Sequence, residues 1–301
     1  MLTKSNDEAM QVAGLLVKHG MQAKLIQSND GFSLYNLLEV RYFLSQLHLD
    51  QGIYMISDEA WAAAERNLAE KFYSSSNLEL CMNLIRDFEA ANPRNKYVSD
   101  LDLFIRESSL EDFFRANTET ILVSTIHKAK GREFDHVFLM LDQFNVGTEE
   151  ALRQLYVAMT RAKRNLTIHY NGRYLDFIRT DHLQTVDEDQ ACLPPAQLAV
   201  QLTYRDVWLD FFLSCQPLIS QLNSGDVLTV DGDCCRNAKG QAVVRFSKQL
   251  LNKIEALKKK RYEPTLAKIR YIVFWQKENV DYEVRVVLPE LYFEQVEDRR
   301  Y

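Results

Sequence analysis

The sequence has few cysteines, and none of them forms a pattern that builds a site. Two of the five are adjacent, and no pair has the spacing C-x-x-C. They are Cys81, Cys192, Cys215, Cys234 and Cys235. An odd number without paired spacing argues against a disulfide framework and a zinc site. We therefore predict no metal ligand on this chain and a reducing, cytoplasmic location.

Long apolar runs, an N-terminal leader and an excess of positive charge are also missing. Apolar stretches are short, as from Tyr271 to Trp275, which predicts no membrane segment. The 301 residues include 36 basic and 42 acidic side chains, a net charge of −6, so nucleic-acid binding would depend on local patches. A phosphate loop of the form G-x-x-x-x-G-K-[ST] is absent from the sequence.

Alternating helix and strand patterns predict an α/β fold for the first part of the chain. Asn6 is expected to cap a helix that stops before Gly20, and residues 23–27 have the pattern of a strand. Only MLTK remains for the strand that should precede, so we expect the chain to start at a domain edge. Further on, residues 121–141 have the pattern of a strand, a loop and a second strand. Residues 149–162 have the pattern of a helix, and residues 165–170 that of another strand. This order favours a parallel sheet.

The remaining segments complete the predicted organisation. Residues 33–117 carry apolar residues at three- and four-residue spacing and predict a helical insertion within a domain of residues 1–182. Residues 183–199 are acidic, then contain paired prolines, and predict a linker. Residues 200–301 predict a small α+β domain with a helix over 202–222, two strands (DVLTVD and AVVRFS) joined by a glycine-bearing turn, a basic helix and a closing hairpin.

The loop between the two strands of 121–141 is dense in polar groups. They are Thr125, His127, Lys128, Lys130, Arg132 and Glu133. Ligands of open α/β sheets collect at the carboxyl ends of strands, and Gly131 would let the backbone approach a phosphate. Glu133 would repel phosphate but suits hydroxyl groups, such as those of a ribose. The alternative is a solvated basic loop.

A second cluster lies in residues 152–166. The apolar residues of its helix fall on one predicted stripe, formed by Leu152, Leu155, Tyr156 and Met159. Arg161 lies roughly opposite this stripe, so it is either a surface arginine or a side chain that points across a cleft. Helix geometry alone leaves both open.

Together the two clusters resemble the last two motifs of the UvrD/Rep-like superfamily 1 DNA helicases. The first motif, T-x-H-x-x-K-G-x-E-F, is matched by Thr125, His127, Lys130, Gly131, Glu133 and Phe134. The second, Y-V-x-x-T-R-A, is matched by Tyr156, Val157, Thr160, Arg161 and Ala162. Their order and short separation also match. The opening LTKSNDEA is similar to an earlier motif of the family, with Lys4 where an arginine is usual.

This resemblance implies that residues 1–182 are the second of two RecA-like motor domains, which bind ATP and Mg²⁺ between them. Arg161 would be an arginine finger that stabilises the transferring γ-phosphoryl group. Glu133 would accept a hydrogen bond from the ribose, and Gly131 and Lys4 would belong to the nucleotide site. The residues implied to contact single-stranded DNA are Thr125, His127 and Lys130.

The phosphate loop and the Mg²⁺ carboxylates would come from a first motor domain, upstream in cis or in trans. The stretch YMISDEAW at 54–61 resembles a strand that ends in an Asp-Glu magnesium pair. It follows Lys4, however, whereas the family's pair comes earlier, and Ser57 followed by two acidic residues is a simple helix start. We therefore expect this chain alone to be inactive. The resemblance also implies that residues 33–117 are a reduced form of the family's insertion.

The C-terminal segment has its own basic cluster. Nine basic residues lie between positions 245 and 270: Arg245, Lys248, Lys253, Lys258, Lys259, Lys260, Arg261, Lys268 and Arg270. The interleaved aromatic residues are Phe246, Tyr262, Tyr271 and Trp275. Such a mixture suits single-stranded nucleic acid, with Lys258, Lys259 and Lys260 as the contacts. Alternatively, the aromatic residues are core and the lysines keep a helix solvated.

Two further patterns in this segment carry less weight. A nuclease would place a lysine two residues after Glu283, where the chain has Arg285. The segment is also faintly similar to domains appended to some bacterial RecQ-type helicases.

Two functions follow from the sequence. The first is the C-terminal portion of an ATP-dependent DNA helicase. The second is a non-catalytic nucleic-acid-binding or interaction module derived from one. A phosphate-loop domain encoded upstream would favour the first, whereas Arg161 and Glu133 have no purpose in the second.

Overall fold

The computed structural model describes residues 1–26, 32–48, 54–113, 120–142, 144–176, 178–188 and 193–296. In chain order the strands are β1 (Leu2–Thr3), β2 (Ala23–Leu25), β3 (Met55–Ile56), β4 (Lys96–Tyr97), β5 (Ile121–Thr125), β6 (Phe134–Leu141), β7 (Ala162–Tyr170), β8 (Gln197–Gln201), β9 (Val227–Asp231), β10 (Cys234–Arg236), β11 (Ala242–Arg245), β12 (Tyr262–Gln276) and β13 (Glu283–Gln295). The helices are α1 (Asn6–Lys18), α2 (Leu38–Gln46), α3 (Asp58–Lys71), α4 (Leu78–Ala91), α5 (Val98–Glu107), α6 (Glu149–Met159), α7 (Gln216–Ile219) and α8 (Lys248–Lys259).

The chain divides into two compact units. The first contains Met1–Ser28 and Thr118–Leu198, and the second contains Asn29–Asn117 and Ala199–Tyr301. We call them the parallel-sheet unit and the antiparallel-sheet unit, after the sheet that each one contains.

The parallel-sheet unit contains a five-stranded sheet in the order β2-β5-β1-β6-β7. All its pairings are parallel, so the predicted α/β fold with a RecA-like parallel sheet is confirmed. The short β1, formed by the opening MLTK, occupies the centre of the sheet. The predicted cap of α1 is off by one residue, because the hydroxyl of Ser5 accepts the hydrogen bond from the Glu8 amide.

The core of this unit lies between β6 and α6. Val137, Leu139 and Leu141 alternate along β6 and are buried in one cluster with Leu155 and Ala158 of α6. The predicted stripe on this helix is therefore wrong at Leu152 and Tyr156, which are 50% and 68% exposed. The small side chain of Ala158 lies on the packing face instead, which turns these two residues outward. The helix also ends at Met159, so the predicted helical position of Arg161 does not apply.

The antiparallel-sheet unit contains a six-stranded sheet in the order β11-β10-β9-β12-β13-β8. Its long closing hairpin β12–β13 is antiparallel, and α8 packs on β12, as expected for the predicted α+β segment. The prediction missed β10 between β9 and β11. It also expected a long helix over 202–222, where the structure has only a 3₁₀ turn at Leu209–Leu213 and the short α7, with a proline in its first turn.

The helices α2 to α5 belong to the antiparallel-sheet unit, where a buried carboxyl group ties α2 to the loop before β9. Glu39 has no solvent exposure, and one of its oxygens accepts hydrogen bonds from Ser75 at 2.6 Å and Ser224 at 2.9 Å. Asn77 donates to the carbonyl of Arg270 on β12 at 2.9 Å. Burial raises the pKa of Glu39 above 4.5, because the charged form loses its hydration.

The predicted division of the chain does not coincide with these compact units. The prediction joined 33–117 to residues 1–182, whereas the structure groups 29–117 with 199–301. The hydrogen bonds around Glu39 and the bridge between Leu37 and Val273 supply the physical reason. Residues 189–192 of the predicted linker lie outside the described residues, and β8 begins at Gln197 within it. The division into a domain of residues 1–182, a linker at 183–199 and a small domain of residues 200–301 stays a prediction.

Candidate functional site

The first motif begins at the carboxyl end of β5. Thr125 is the last residue of this strand and pairs in register with Thr3 at the end of β1. The amide of Ile126 donates to the carbonyl of Thr3 at 2.9 Å, and the amides of Lys128 and Ala129 donate to the carbonyl of Thr125. Thr125 is only 6% exposed, so its hydroxyl has little access to solvent.

The basic residues of the loop have different surroundings. The ammonium of Lys128 donates to Asn6 Oδ1 at 3.0 Å and to the carbonyl of Ile26 at 3.4 Å. This side chain therefore joins the loop to the start of α1 and the end of β2. His127 and Lys130 are exposed and can meet a ligand.

Two apolar residues and one glycine give the loop a defined path. Ile126 and Ala129 are buried in the same core cluster as β6 and α6. Gly131 has a φ of +85°, and a Cβ added there would meet no atom within 4 Å. Glycine is therefore needed here because of its left-handed backbone conformation. Lack of space is not the reason, since an added Cβ would not clash with a neighbouring atom.

The loop runs from the carboxyl ends of the parallel strands to their amino ends, which we call the carboxyl edge and the amino edge of the sheet. Leu2 of β1 is level with Ser124 of β5 and with Leu139 of β6. Phe134 lies five residues before Leu139, while Thr125 lies one residue beyond Ser124. At about 3.3 Å per residue, the two ends of the loop are about 20 Å apart along the strands. Thr125 thus lies at the carboxyl edge, and Glu133 at the amino edge.

Arg161 lies at the amino edge and is bonded to the end of the loop. Its Nη1 donates to the carbonyl of Arg132 at 3.1 Å, and its own carbonyl accepts from the Phe134 amide at 2.8 Å. Nε donates to the carbonyl of Val157 at 2.9 Å, and Nη2 to the hydroxyl of Thr160 at 3.1 Å. These bonds use three of the five guanidinium N–H groups. Sequence reasoning assigned no role to Thr160, although its place beside Arg161 in the motif is the signal for one.

Glu133 belongs to a small set of charges at the same edge. Its carboxylate lies 3.7 Å from the ammonium of Lys163, and Asp135 lies 3.8 Å from Arg164. These pairs are exposed, so each contributes little to stability. The edge nevertheless presents a guanidinium for phosphate and a carboxylate for hydroxyl groups. This donor and acceptor set fits the phosphate and ribose of a nucleotide.

Lys4 lies at the carboxyl edge, so the structure does not bring it together with Glu133 and Arg161. It directly follows β1, and its ammonium is 5.8 Å from the centre of the Phe144 ring. The sequence grouped Lys4 with the nucleotide residues. Its position is instead on the edge where the motif begins, with Thr125 and His127.

The C-terminal basic cluster has a different construction. Phe246, Tyr262 and Tyr271 are buried, so they are not open platforms for bases. Lys258 lies 3.7 Å from Glu255 and 3.8 Å from Glu263. The structure thus favours the alternative in which the aromatic residues are core. A role of Lys258, Lys259 and Lys260 in nucleic-acid binding stays a prediction.

In the described part of the chain, no three His, Cys, Asp or Glu side chains lie where they could hold a metal ion. None of the described helices is long and apolar enough to cross a membrane.

Comparison with known proteins gives a family match and matches to curated relatives. Residues 53–173 match the UvrD-like helicase C-terminal domain. The chain is 41% identical to the RecBCD enzyme subunit RecB of Chlamydia pneumoniae over 56 residues, which are 18% of this chain and 5% of RecB. It is 38% identical to the Gabija protein GajB of Bacillus cereus over 68 residues, which are 22% of this chain and 14% of GajB. The matched segments are thus a small part of either relative.

The family match includes both motifs, with Thr125, Glu133 and Arg161 inside it. It does not reach residues 1–52, so the similarity of LTKSNDEA to an earlier motif stays a prediction, as does the similarity of the C-terminal segment to RecQ-type appendages. Residues 53–173, which include both motifs, are therefore similar in sequence to the C-terminal domain of UvrD-like helicases, the superfamily 1 kind that the motifs indicated.

Proposed function

We propose that the chain is the C-terminal portion of an ATP-dependent DNA helicase, and that residues 125–133 couple a DNA strand at one sheet edge to ATP at the other. The observation that carries this proposal is the register of the parallel sheet. It separates Thr125 from Glu133 by about 20 Å of strand length, while one short loop connects them.

At the amino edge, Arg161 would act as the arginine finger. Its two remaining N–H groups can reach a phosphate oxygen, and its bond to the Arg132 carbonyl links it directly to the loop. A guanidinium stabilises the charge that develops on a transferring phosphoryl group. Glu133, exposed on the same edge, would accept hydrogen bonds from the ribose hydroxyls.

The γ-phosphate needs a partner surface, because a phosphate loop is absent from the sequence. We propose that a first RecA-like motor domain, in cis or in trans, supplies that loop and the Mg²⁺ ligands. Bound Mg²⁺ would neutralise phosphate charge there.

At the carboxyl edge, the exposed His127 and Lys130 would contact the phosphates of single-stranded DNA. We include Lys4 in this group because it follows β1 at the same edge. The buried Thr125 would contribute through its strand-end position, which sets the first turn of the loop.

The test is ATP turnover of this chain together with its first motor domain, whether joined in cis or added in trans, with Arg161→Ala. We expect turnover to fall about a thousandfold, since an arginine finger contributes roughly 10³ to 10⁵ in rate. Arg164→Ala is the matched control, because Arg164 is an exposed arginine on β7, three residues after Arg161, and this variant should keep normal turnover. Equal turnover in wild type and Arg161→Ala would rule out the finger.

A further inference from the structure

The negative charge of the chain is concentrated in the helical segment 33–117. This segment has 8 basic and 14 acidic residues, a net charge of −6. The rest of the chain has 36 − 8 = 28 basic and 42 − 14 = 28 acidic residues, a net charge of zero. Since a segment of this charge repels the phosphates of DNA, it favours partners of positive charge.

A short ribbon in this segment exposes large apolar side chains. Met55 of β3 and Tyr97 of β4 are register partners and are 54% and 41% exposed, and the neighbouring Tyr54 is 80% exposed. The opposite face of the ribbon, with Ile56 and Lys96, is buried. We call Tyr54, Met55 and Tyr97 the tyrosine ribbon. Tyrosine and methionine are enriched at protein–protein interfaces.

A pocket of about 390 Å³ begins beside the tyrosine ribbon. Its wall includes Val98, which follows Tyr97 and whose amide donates to the carbonyl of Tyr54 at 3.1 Å. Leu44 and Leu101 supply further apolar surface, and Asp102 supplies a carboxylate. Such a pocket can accept one apolar side chain with a polar group beside it.

The groups around the pocket hold it in shape. The guanidinium of Arg41 forms a salt bridge with Glu283 and lies 5.0 Å from the ring centre of Tyr35. The guanidinium of Arg106 lies 4.2 Å from the same ring and 2.7 Å from Asp102. Because the carboxylate partners neutralise the positive charge of both arginines, the pocket itself is not a strong anion-binding site.

Acidic residues follow both strands of the ribbon. Asp58 and Glu59 open α3, two and three residues after the end of β3, and Asp100 comes three residues after Tyr97, all of them exposed. Asp58 already pairs with Lys96 at 2.8 Å. Glu59 and Asp100 thus add exposed negative charge close to exposed tyrosines. This combination recognises lysine or arginine side chains next to apolar ones.

We propose that the tyrosine ribbon and its pocket form a docking site for a basic polypeptide segment of a protein partner, with an apolar side chain of that segment in the pocket. The site goes beyond the proposed helicase function and does not depend on it. It also assigns to this insertion a protein contact in place of a DNA contact.

The experiment uses the purified 301-residue chain and fluorescence anisotropy. The probe is a fluorescein-labelled amphipathic peptide of lysine and leucine, compared with the same peptide bearing glutamate in place of lysine and with labelled oligothymidine. The test variant is Tyr54→Ala with Tyr97→Ala. The matched control is Tyr73→Ala with Tyr282→Ala, which removes two tyrosines that are 82% and 58% exposed elsewhere in the same unit.

The lysine peptide should bind saturably, and the ribbon variant should weaken its binding about tenfold, a loss of about 1.4 kcal/mol. The control variant should bind like wild type, and Glu59→Gln with Asp100→Asn should reduce the salt sensitivity of binding. Absence of saturable binding, or equal losses in the ribbon and control variants, would overturn the proposal. A ribbon variant that loses oligothymidine binding and keeps peptide binding would identify a nucleic-acid surface instead.

Discussion

Residues 125–133 of the parallel-sheet unit and residues 258–261 of the antiparallel-sheet unit are both basic clusters, and their surroundings differ. The first cluster connects opposite edges of a sheet and is bonded to Arg161. The second lies at the C-terminal end of α8, with Lys258 beside two glutamates and Tyr262 buried. Polar groups at strand ends therefore identify a candidate site, whereas basic composition alone does not.

Thr160 offers the sharpest way to weaken the first cluster without removing Arg161. We expect Thr160→Val to lower ATP turnover of the full-length protein about tenfold, because a hydrogen bond to a charged group is worth about 1.5–3 kcal/mol. The hydroxyl accepts from Arg161 Nη2 at 3.1 Å, and Thr160→Ser keeps it. Turnover at saturating ATP should therefore be normal in the serine variant. Equal turnover in the valine and serine variants would exclude this positioning role.

Gly131 and Gly240 allow the same backbone strain, that of alanine at a positive φ, to be compared between the two units. Their φ values are +85° and +75°, and a Cβ would meet no atom within 4 Å at either site. Each change to alanine should cost about 1 kcal/mol in the free energy of unfolding, because left-handed backbone disfavours a Cβ. Denaturant unfolding measures this cost. Only Gly131→Ala should also reduce the stimulation of ATP turnover by DNA. Equal stimulation by DNA in both variants would contradict a coupling role of the loop that contains Gly131.

Glu39 tests the link between α2 and the loop before β9. The raised pKa of Glu39 means that its carboxyl group binds a proton more tightly in the folded chain than in the unfolded chain. Its contribution to stability is therefore complete below pH 4.5 and is lost as the pH rises through the folded-state pKa. Glu39→Gln should gain stability relative to wild type over that rise, as measured by urea unfolding at a series of pH values. Glu79→Gln, on an exposed face of α4, is the control. Parallel pH profiles for wild type and Glu39→Gln would contradict the prediction.

The smallest effect is expected in the C-terminal basic cluster. Lys258, Lys259 and Lys260 changed together to Glu would lower the salt slope of DNA binding by about 2 if all three met phosphates, since each contact contributes roughly 0.7. We expect a much smaller change, because the neighbouring aromatic residues are buried. A change of about 2 in the slope would show that this cluster is a DNA site after all.

The sequence predicted the parallel sheet and both motifs, because alternating strands and fixed motif spacing are local patterns. It did not predict the sheet edges on which the motif residues lie, since register depends on pairing between distant strands. Lys4 shows this limit. The sequence grouped it with Glu133 and Arg161, whereas the pairing of β1 with β5 places it at the opposite edge from these two residues; its role in nucleotide binding stays a prediction.

Tertiary packing explains the remaining differences from prediction. Leu152 and Tyr156 have the spacing of a buried stripe, yet Ala158 packs against the sheet and turns them outward. The helical segment 33–117 gave no sign of its association with 199–301, because that association involves contacts between residues far apart in sequence, such as the hydrogen bond from Ser224 to Glu39.

The central claim is that residues 125–133 have separate duties at two sheet edges. Its most direct test is ATP turnover of the full-length protein, measured against ATP and single-stranded DNA concentration, for Lys130→Ala and Glu133→Gln. We predict that Lys130→Ala raises the DNA concentration for half-maximal stimulation about fivefold and leaves the KM for ATP unchanged, since a net contact is worth about 1 kcal/mol. Glu133→Gln should raise the KM for ATP and leave the DNA dependence unchanged. A result in which both variants alter the same parameter would contradict the account.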